Sequence, residues 1–406
     1  MRAIRIFLYK KFEAINRYLW TEKYYRFGIY FSSIVKAIMF REFFPKSLNY
    51  SNLDELVAKI DKSSISINKN INKATSKNTN KIKKLFIIKG CYPDFIVNAL
   101  ISGQQLECEI FDFTKMNSLE NTDFGSDILE FETKSLLKKI SSFDPDVILL
   151  DTNINPLSHA FSTNTISKIR SIYKKKIIGL SGDLYTQENY TIAKNWCTCL
   201  DYVLHGEKML GKNFPLISNL KYIRCDIDAK TFFPEKKKND FFFSGLGNNP
   251  RFPFIFTVKL FSNILDLKAK IFIHRKSTNP SLSYDKYTKL IRTSRVTANF
   301  SRRSRLLTEV LGGNRVEALA SKTLLLAEGT ALKEHFTPYT HYIPFSTVRE
   351  FIVALKFIKN YPDRVNKIVE SSYEFYKTEW SSVSMFDNFE SIIQSDDLFS
   401  KKGQSK

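Results

Sequence analysis

From Leu85 onward, short apolar runs alternate with stretches in which apolar residues recur every three or four positions. This alternation is the pattern of a parallel sheet with crossover helices. The runs predict five strands in a first sheet: Leu85 to Lys89, Glu109 to Phe113, Val147 to Asp151, Lys176 to Leu180 and Tyr202 to Leu204. Most end in polar or glycine-containing turns, as buried parallel strands do. Tyr222 to Pro234 is expected to leave this sheet, and the Lys-rich Glu235 to Asp240 reads as a hinge. A second series then repeats the arrangement: Phe241 to Phe243, Ala269 to Ile273, Val296 to Asn299, Thr323 to Ala327 and His341 to Pro344. The fold class is therefore α/β, with one Rossmann-like parallel-sheet architecture used twice.

The chain before Leu85 has a different character. Ile4, Leu8, Phe12, Ile15 and Leu19 fall at helical spacing, with Arg5, Lys10, Glu13 and Arg17 mostly off that stripe. Phe27 to Phe40 is apolar and aromatic but interrupted by Lys36 and flanked by Arg26 and Arg41, too short and too charged to span a bilayer. Asp61 to Lys84 is rich in Asn, Ser, Thr and Lys, a composition that does not repay the entropy of folding. The expected organisation is a basic helical extension over residues 1–60, a polar linker over 61–84, a first sheet domain over 85–235, a second over 236–376, and a C-terminal crossing helix and tail over 377–406. Trp380, Met385, Phe386, Phe389 and Ile392 give that tail an amphipathic face.

Length agrees with two domains, since 406 residues exceed a typical single core. Hydrophobic content of 43% with 25% charged residues is that of a globular protein, and no uncharged apolar run reaches 18 residues. Five cysteines without paired metal spacing, and no signal-peptide pattern, point to a reducing, cytoplasmic setting. The net charge of +21 is unevenly placed: the first 84 residues hold 18 Lys and Arg against 6 Asp and Glu, leaving +12 there. Two readings of this arm stand side by side, docking on an anionic inner-membrane surface and an extra helical layer on the first domain. Nucleic acid is not an expected partner, because the excess sits in the arm and no aromatic-basic recognition motif occurs.

Candidate chemistry concentrates between Glu309 and Glu328, in the sequence EVLGGNRVEALASKTLLLAE. Two carboxylates, Glu309 and Glu317, stand eight apart across the Gly312-Gly313-Asn314 turn. Such a turn exposes backbone N–H groups and opens a helix whose positive end suits a diphosphate. Glu317, in the first turn of that helix, has a carboxylate able to hold the vicinal hydroxyls of a ribose. A solvated helix charge or cap is the plainer account of each glutamate taken alone.

These residues resemble the E-x7-E motif of GT-B glycosyltransferases, in particular the spore-maturation-protein-like (CgeB-like) and group 1 glycosyltransferases. The likeness continues through Ala318, Leu319, Ala320 and Ser321 to Lys322, where the family usually has Gly, and into the apolar Leu324 to Leu326. It includes Ser244, Gly245, Leu246, Gly247 and Asn248 after a strand, and reaches the closing helices of Tyr361 to Phe389. It implies GT-B architecture, two Rossmann-like domains facing a cleft, with a nucleotide-sugar donor on the second. By that resemblance Glu317 binds the ribose, while Glu309 with the Gly312, Gly313 and Asn314 backbone positions the sugar. It leans toward retention of anomeric configuration.

A diphosphate leaving group calls for cations. Arg251 after the Gly245 to Asn249 loop, Arg303 among Arg302 to Arg305, and Arg315 beside Glu317 are the candidates, with guanidinium forks matched to phosphate oxygens. On the acceptor side, Asp183 and His205 end predicted strands, where α/β sheets bind ligands. Each is a candidate base or acceptor-orienting group, although a turn Asp capping the next helix and a surface His are the plainer accounts of the two. No Asp-x-Asp or His/Cys cluster has ligand spacing, so neither metal nor cofactor is expected, the nucleotide sugar being a substrate. The acceptor class suggested is a glycan or lipid-linked hydroxyl. An epimerase on the same fold and a non-catalytic nucleotide-sugar-binding module remain alternatives.

Overall fold

The computed structural model describes residues 50–66, 82–89, 106–112, 125–152, 162–181, 184, 186–206, 214–223, 230–246, 252–274, 282–300, 314–329, 331–380 and 385–394. They fall into two compact units, one formed by residues 50–66 with 234–372 and the other by 82–233 with 373–394.

The unit of residues 82–233 holds a fully parallel sheet of six strands, in the order β2-β1-β3-β4-β5-β6. The strands are β1 (Lys84–Lys89), β2 (Glu107–Asp112), β3 (Val147–Asp151), β4 (Lys176–Ser181), β5 (Tyr202–His205) and β6 (Leu220–Tyr222). The central strands are continuous apolar runs because both of their faces are covered; Val147–Asp151 is buried at every position. Edge strand β2 instead carries Glu107, Glu109 and Asp112, paired with Lys84, Lys139 and Lys89 at 3.5, 3.5 and 3.9 Å. The sixth strand departs from the expectation that the chain leaves the sheet by Tyr222. Its three residues pair with β5 from Val203↔Leu220 to His205↔Tyr222.

Three helices of this unit follow their strands: α2 (Gly125–Phe143), α3 (Thr163–Ile172) and α4 (Gln187–Trp196), the last capped by Thr186, whose hydroxyl accepts from the Asn189 N–H at 3.1 Å. Helical residues 385–394 cover the other face, burying Met385, Phe386, Phe389 and Ile393 against Leu85, Ile87, Leu149 and Ile178. Glu390 accepts from the N–H of Ile82 at 2.9 Å, and Lys176 Nζ donates to the Ile393 carbonyl at 2.6 Å, so this segment clips the starts of β1 and β4. Gly179 in β4 lets Thr152 approach: a Cβ there would lie 2.5 Å from Thr152 Cγ2.

The second unit has a five-stranded parallel sheet, in the order β11-β10-β9-β7-β8. These are β7 (Asn239–Leu246), β8 (Ala269–His274), β9 (Ser294–Asn299), β10 (Leu324–Glu328) and β11 (Ile343–Phe345). Counted within each unit, both sheets have the order 2-1-3-4-5, the first with a sixth strand added. The architecture is repeated, as the hydrophobic pattern predicts. Its helices are α5 (Phe252–Ile264), α6 (Tyr284–Thr293), α7 (Asn314–Ala320), α8 (Val348–Asn360) and the first part of α9 (Pro362–Glu379). Phe254, Phe300, Phe345 and Phe351 form a ring cluster with centroids 4.8–6.4 Å apart, many of them edge-on or tilted.

Helix α1 (Leu53–Ser66) also belongs to this second unit, where it packs on α8. The break expected at Asp61 falls inside α1, which packs on the unit of the second sheet. Tyr50, Leu56 and Ile60 are buried, each contributing roughly 1.5–3 kcal/mol of burial. Glu350 fixes the entry. Its carboxylate accepts from the N–H of Tyr50 at 3.3 Å, of Ser346 at 2.6 Å and of Thr347 at 3.0 Å, the last within a capping box. Arg364 then clamps Asp61 through two hydrogen bonds of 2.9 and 3.1 Å. The residues 1–49 of the basic arm lie outside the described residues. Among the described residues no helix is long and apolar enough to cross a membrane.

Candidate functional site

In a doubly wound sheet, ligands bind beyond the carboxyl ends of the strands where the order reverses. In the second sheet that reversal lies between β7 and β9. In the chain, the Gly245 to Asn249 segment with Arg251 comes at and after the end of β7, and Arg302 to Arg305 come after β9. The connection from β9 into α7 carries Glu309 and the Gly-Gly-Asn turn.

Of these residues, Gly245 is a strand residue of β7, paired with Ile273. Asn314 opens α7. Gly247, Asn248, Arg251, Arg303, Glu309, Gly312 and Gly313 lie outside the described residues.

Glu317 is placed in the first turn of α7, as the sequence predicts. It is not the solvated helix charge of the plainer reading, being only 9% exposed. The phenol O–H of Tyr287, on α6, donates to its Oε2. Burial pushes the carboxyl up to about 7, while the Tyr287 hydrogen bond and the nearby Arg315 guanidinium pull in the opposite direction. Tyr287 is packed on Phe242 of β7, with ring centroids 5.7 Å apart, which ties α6 to β7. Arg315 is itself buried and acts electrostatically on Glu317. A carboxylate kept in poor solvent, with one oxygen already receiving a hydrogen bond, is primed to accept further hydroxyl donors.

The far end of α7 is equally well determined. The N–H of Thr323 donates to the Ala318 carbonyl at 2.8 Å and that of Lys322 to the Leu319 carbonyl at 3.1 Å, the pair of bonds that closes a helix through a left-handed residue. That residue is Lys322, at φ 51°. Lysine at the family's glycine position thus leaves the turn intact, and its Nζ reaches Glu370 at 2.6 and 2.8 Å. Lys237, in the stretch read as a hinge, donates from Nζ to the carbonyls of Ser321 and Arg292 and to Thr323 Oγ1, at 2.7, 2.8 and 3.0 Å. It joins the C-terminal ends of α6 and α7 to the start of β7.

Neither Tyr287 nor Lys237 is singled out by the sequence. The only signal for Tyr287 was its position in a helix of the same unit.

In the first unit, His205 ends β5 and is buried, with Tyr222 of β6 edge-on at 6.2 Å. Burial lowers its imidazole to about 4, so it is neutral at physiological pH. Ser181 of β4 is its register partner. Asp183 lies outside the described residues.

Residues 241–391 match the family model described as glycosyl transferase-like. No curated protein matches the sequence. Among solved structures, Anabaena Alr3699/HepE in complex with UDP-glucose aligns at a TM-score of 0.50 and 10% identity, over 77% of this chain and 99% of that one. An alpha-glucosyltransferase in complex with UDP-glucose and DNA containing an abasic site gives 0.49 at 13% identity, over 77% and 99%. UDP-GlcNAc 2-epimerase from Neisseria meningitidis bound to UDP-GlcNAc gives 0.45 at 13% identity, over 71% and 95%. At such identity the first of these speaks to the fold alone, and that fold is two Rossmann-like parallel-sheet units.

Proposed function

We propose that this chain, GT-B in fold and glycosyl transferase-like in sequence over residues 241–391, transfers a sugar from a nucleotide-sugar donor to an acceptor hydroxyl. The observation that carries the reading is Glu317. It is a buried carboxylate, in the first turn of the helix that follows the Gly-Gly-Asn turn, on the unit of the second sheet. A ribose diol supplies the two donors such a group accepts.

The residues then divide the work. The second-sheet unit holds the donor, with Glu317 on the ribose, Glu309 on the sugar, and the backbone of Gly312 to Asn314 and Gly245 to Asn248 facing the diphosphate. Arg251, Arg303 and Arg315 supply positive charge as the diphosphate leaves, which supports departure without a metal. The acceptor binds on the first-sheet unit near Asp183 and His205. A histidine lowered to about 4 is a weak proton acceptor, so His205 orients the acceptor hydroxyl and Asp183 is the better candidate base. The basic first 84 residues favour an acceptor at an anionic surface, a lipid-linked or envelope glycan on the cytoplasmic face.

The test is a thermal-shift series with UDP, GDP, CDP, ADP and dTDP and their common sugar conjugates, alongside Glu317→Ala. Stabilisation by one nucleotide family, lost in the variant, is the expected result. Label from that donor should then appear in an acceptor. Binding with neither transfer nor donor hydrolysis would make the chain a nucleotide-sugar-binding module, and conversion of the sugar itself would make it an epimerase.

A further inference from the structure

We propose that Tyr287 is a positioning residue of the nucleotide site, its phenol O–H holding the Glu317 carboxylate in the orientation and ionised form that accept a ribose diol. The inference rests on the reading of Glu317 given above and adds a residue from outside the motif.

The argument is geometric first. Glu317 is on α7, a helix of seven residues, and the contact that orients its long side chain comes from another helix. Tyr287 comes from α6, a ten-residue helix of the same unit, and its ring is braced by Phe242. The hydrogen bond occupies lone-pair capacity on Oε2 and leaves Oε1 and the rest of Oε2 for a ligand. A side chain so tied presents its free lone pairs in one direction, and the ordering cost has been met before the ligand arrives.

Chemistry supplies the second half. Helix α7 packs on α6, β9 and β10. Among the described residues, Tyr287 from α6 and Arg315 from α7 itself act on Glu317, and Tyr284 of α6 acts on Tyr287. Burial favours the neutral acid, and these two partners favour the carboxylate. A protonated carboxyl has one fewer acceptor site and cannot receive both ribose hydroxyls equally. Removing the phenol oxygen removes one of the two influences that keep Glu317 ionised near neutral pH.

The experiment measures nucleotide affinity by calorimetry between pH 5.5 and 9, with UDP and then GDP, CDP, ADP and dTDP as probes, for four proteins: wild type, Tyr287→Phe, Glu317→Gln and the double variant. The wild type should lose affinity as pH falls through the Glu317 titration. Tyr287→Phe should move that midpoint upward and weaken binding about tenfold at neutral pH, with a smaller loss left at the alkaline end where only the orientation is missing. Glu317→Gln should bind weakly with only the pH dependence of the nucleotide's own phosphate, and adding Tyr287→Phe to it should change little. A merely structural tyrosine would leave the titration midpoint where it is and would weaken binding by the same factor in the Glu317→Gln background; that result overturns the proposal. A Glu317→Gln profile identical in shape to wild type overturns it as well, independently of whether Tyr287→Phe folds. Failure of the wild type to bind any of the five nucleotides would remove the donor-site reading itself, and the proposal with it.

Discussion

Replacing Glu317 by glutamine should make the free protein more stable while weakening its affinity for nucleotide. The carboxyl stands at 4.5 in an exposed chain and at about 7 when folded. Its stabilising contribution is therefore fully present below pH 4.5 and is lost as pH rises through 7, because the unfolded chain gives up its proton first. Carrying the group over that interval corresponds to about 3 kcal/mol. Glutamine has no charge to bury, and its carbonyl can accept from Tyr287 as the neutral acid does. The net expectation is a gain of about 3 kcal/mol at pH 8.5 and of less than about 1 kcal/mol at pH 5. For a unit of this size the gain at the higher pH is a rise of roughly 6–12 °C in Tm. Calorimetric melts of both proteins at the two pH values measure it directly. Equal Tm differences at pH 5 and 8.5, or a net loss at pH 8.5, would refute the argument that Glu317 is held in a poorly solvating site against its preference.

Three further outcomes are expected. At position 322, glycine should be more stable than alanine by about 1 kcal/mol, the reverse of a helix interior, because the left-handed φ of 51° penalises a Cβ; urea melts of Lys322→Gly and Lys322→Ala decide this, and alanine equal to glycine counts against it. Gly179→Ala should destabilise the first-sheet unit by roughly 1–3 kcal/mol through the 2.5 Å approach to Thr152 Cγ2, and adding Thr152→Ser, which removes that methyl, should restore much of the loss in thermal melts. Transferase activity should survive dialysis against EDTA, since arginines are proposed to meet the diphosphate charge; an activity restored only by divalent cation would reject that part of the mechanism.

The strands were legible because a parallel sheet covered on both faces writes itself as uninterrupted apolar residues, as in Val147–Asp151 and Leu324–Glu328. The sixth strand was not, because Leu220–Tyr222 is three residues long with lysine at its centre and is a strand only through its pairing with β5. Helix α1 was cut short at Asp61 by its polar Asp61-Lys62-Ser63-Ser64 run. What extends it are contacts to residues some 300 positions away, Arg364 to Asp61 and Glu350 to Tyr50, which no local pattern reveals. Glu317 was identifiable by type and place, but its burial and its tyrosine partner were not. Tyr287 lies thirty residues earlier on another helix, and nothing in either segment alone marks them as neighbours.

The docking of α1 also separates order of synthesis from order of assembly. Residues 50–66 emerge from the ribosome first but can reach their native surroundings only after Glu350 and Arg364 have been made. Until then Leu56, Val57 and Ile60 have no surface to cover, while the whole of the first sheet is translated in between. A chain shortened to begin at Leu85 would therefore keep its first-made sheet and strip apolar cover from the last-made one. Any loss of nucleotide affinity on removing the N-terminal arm would have its origin in the second sheet, at the opposite end of the sequence from the cut.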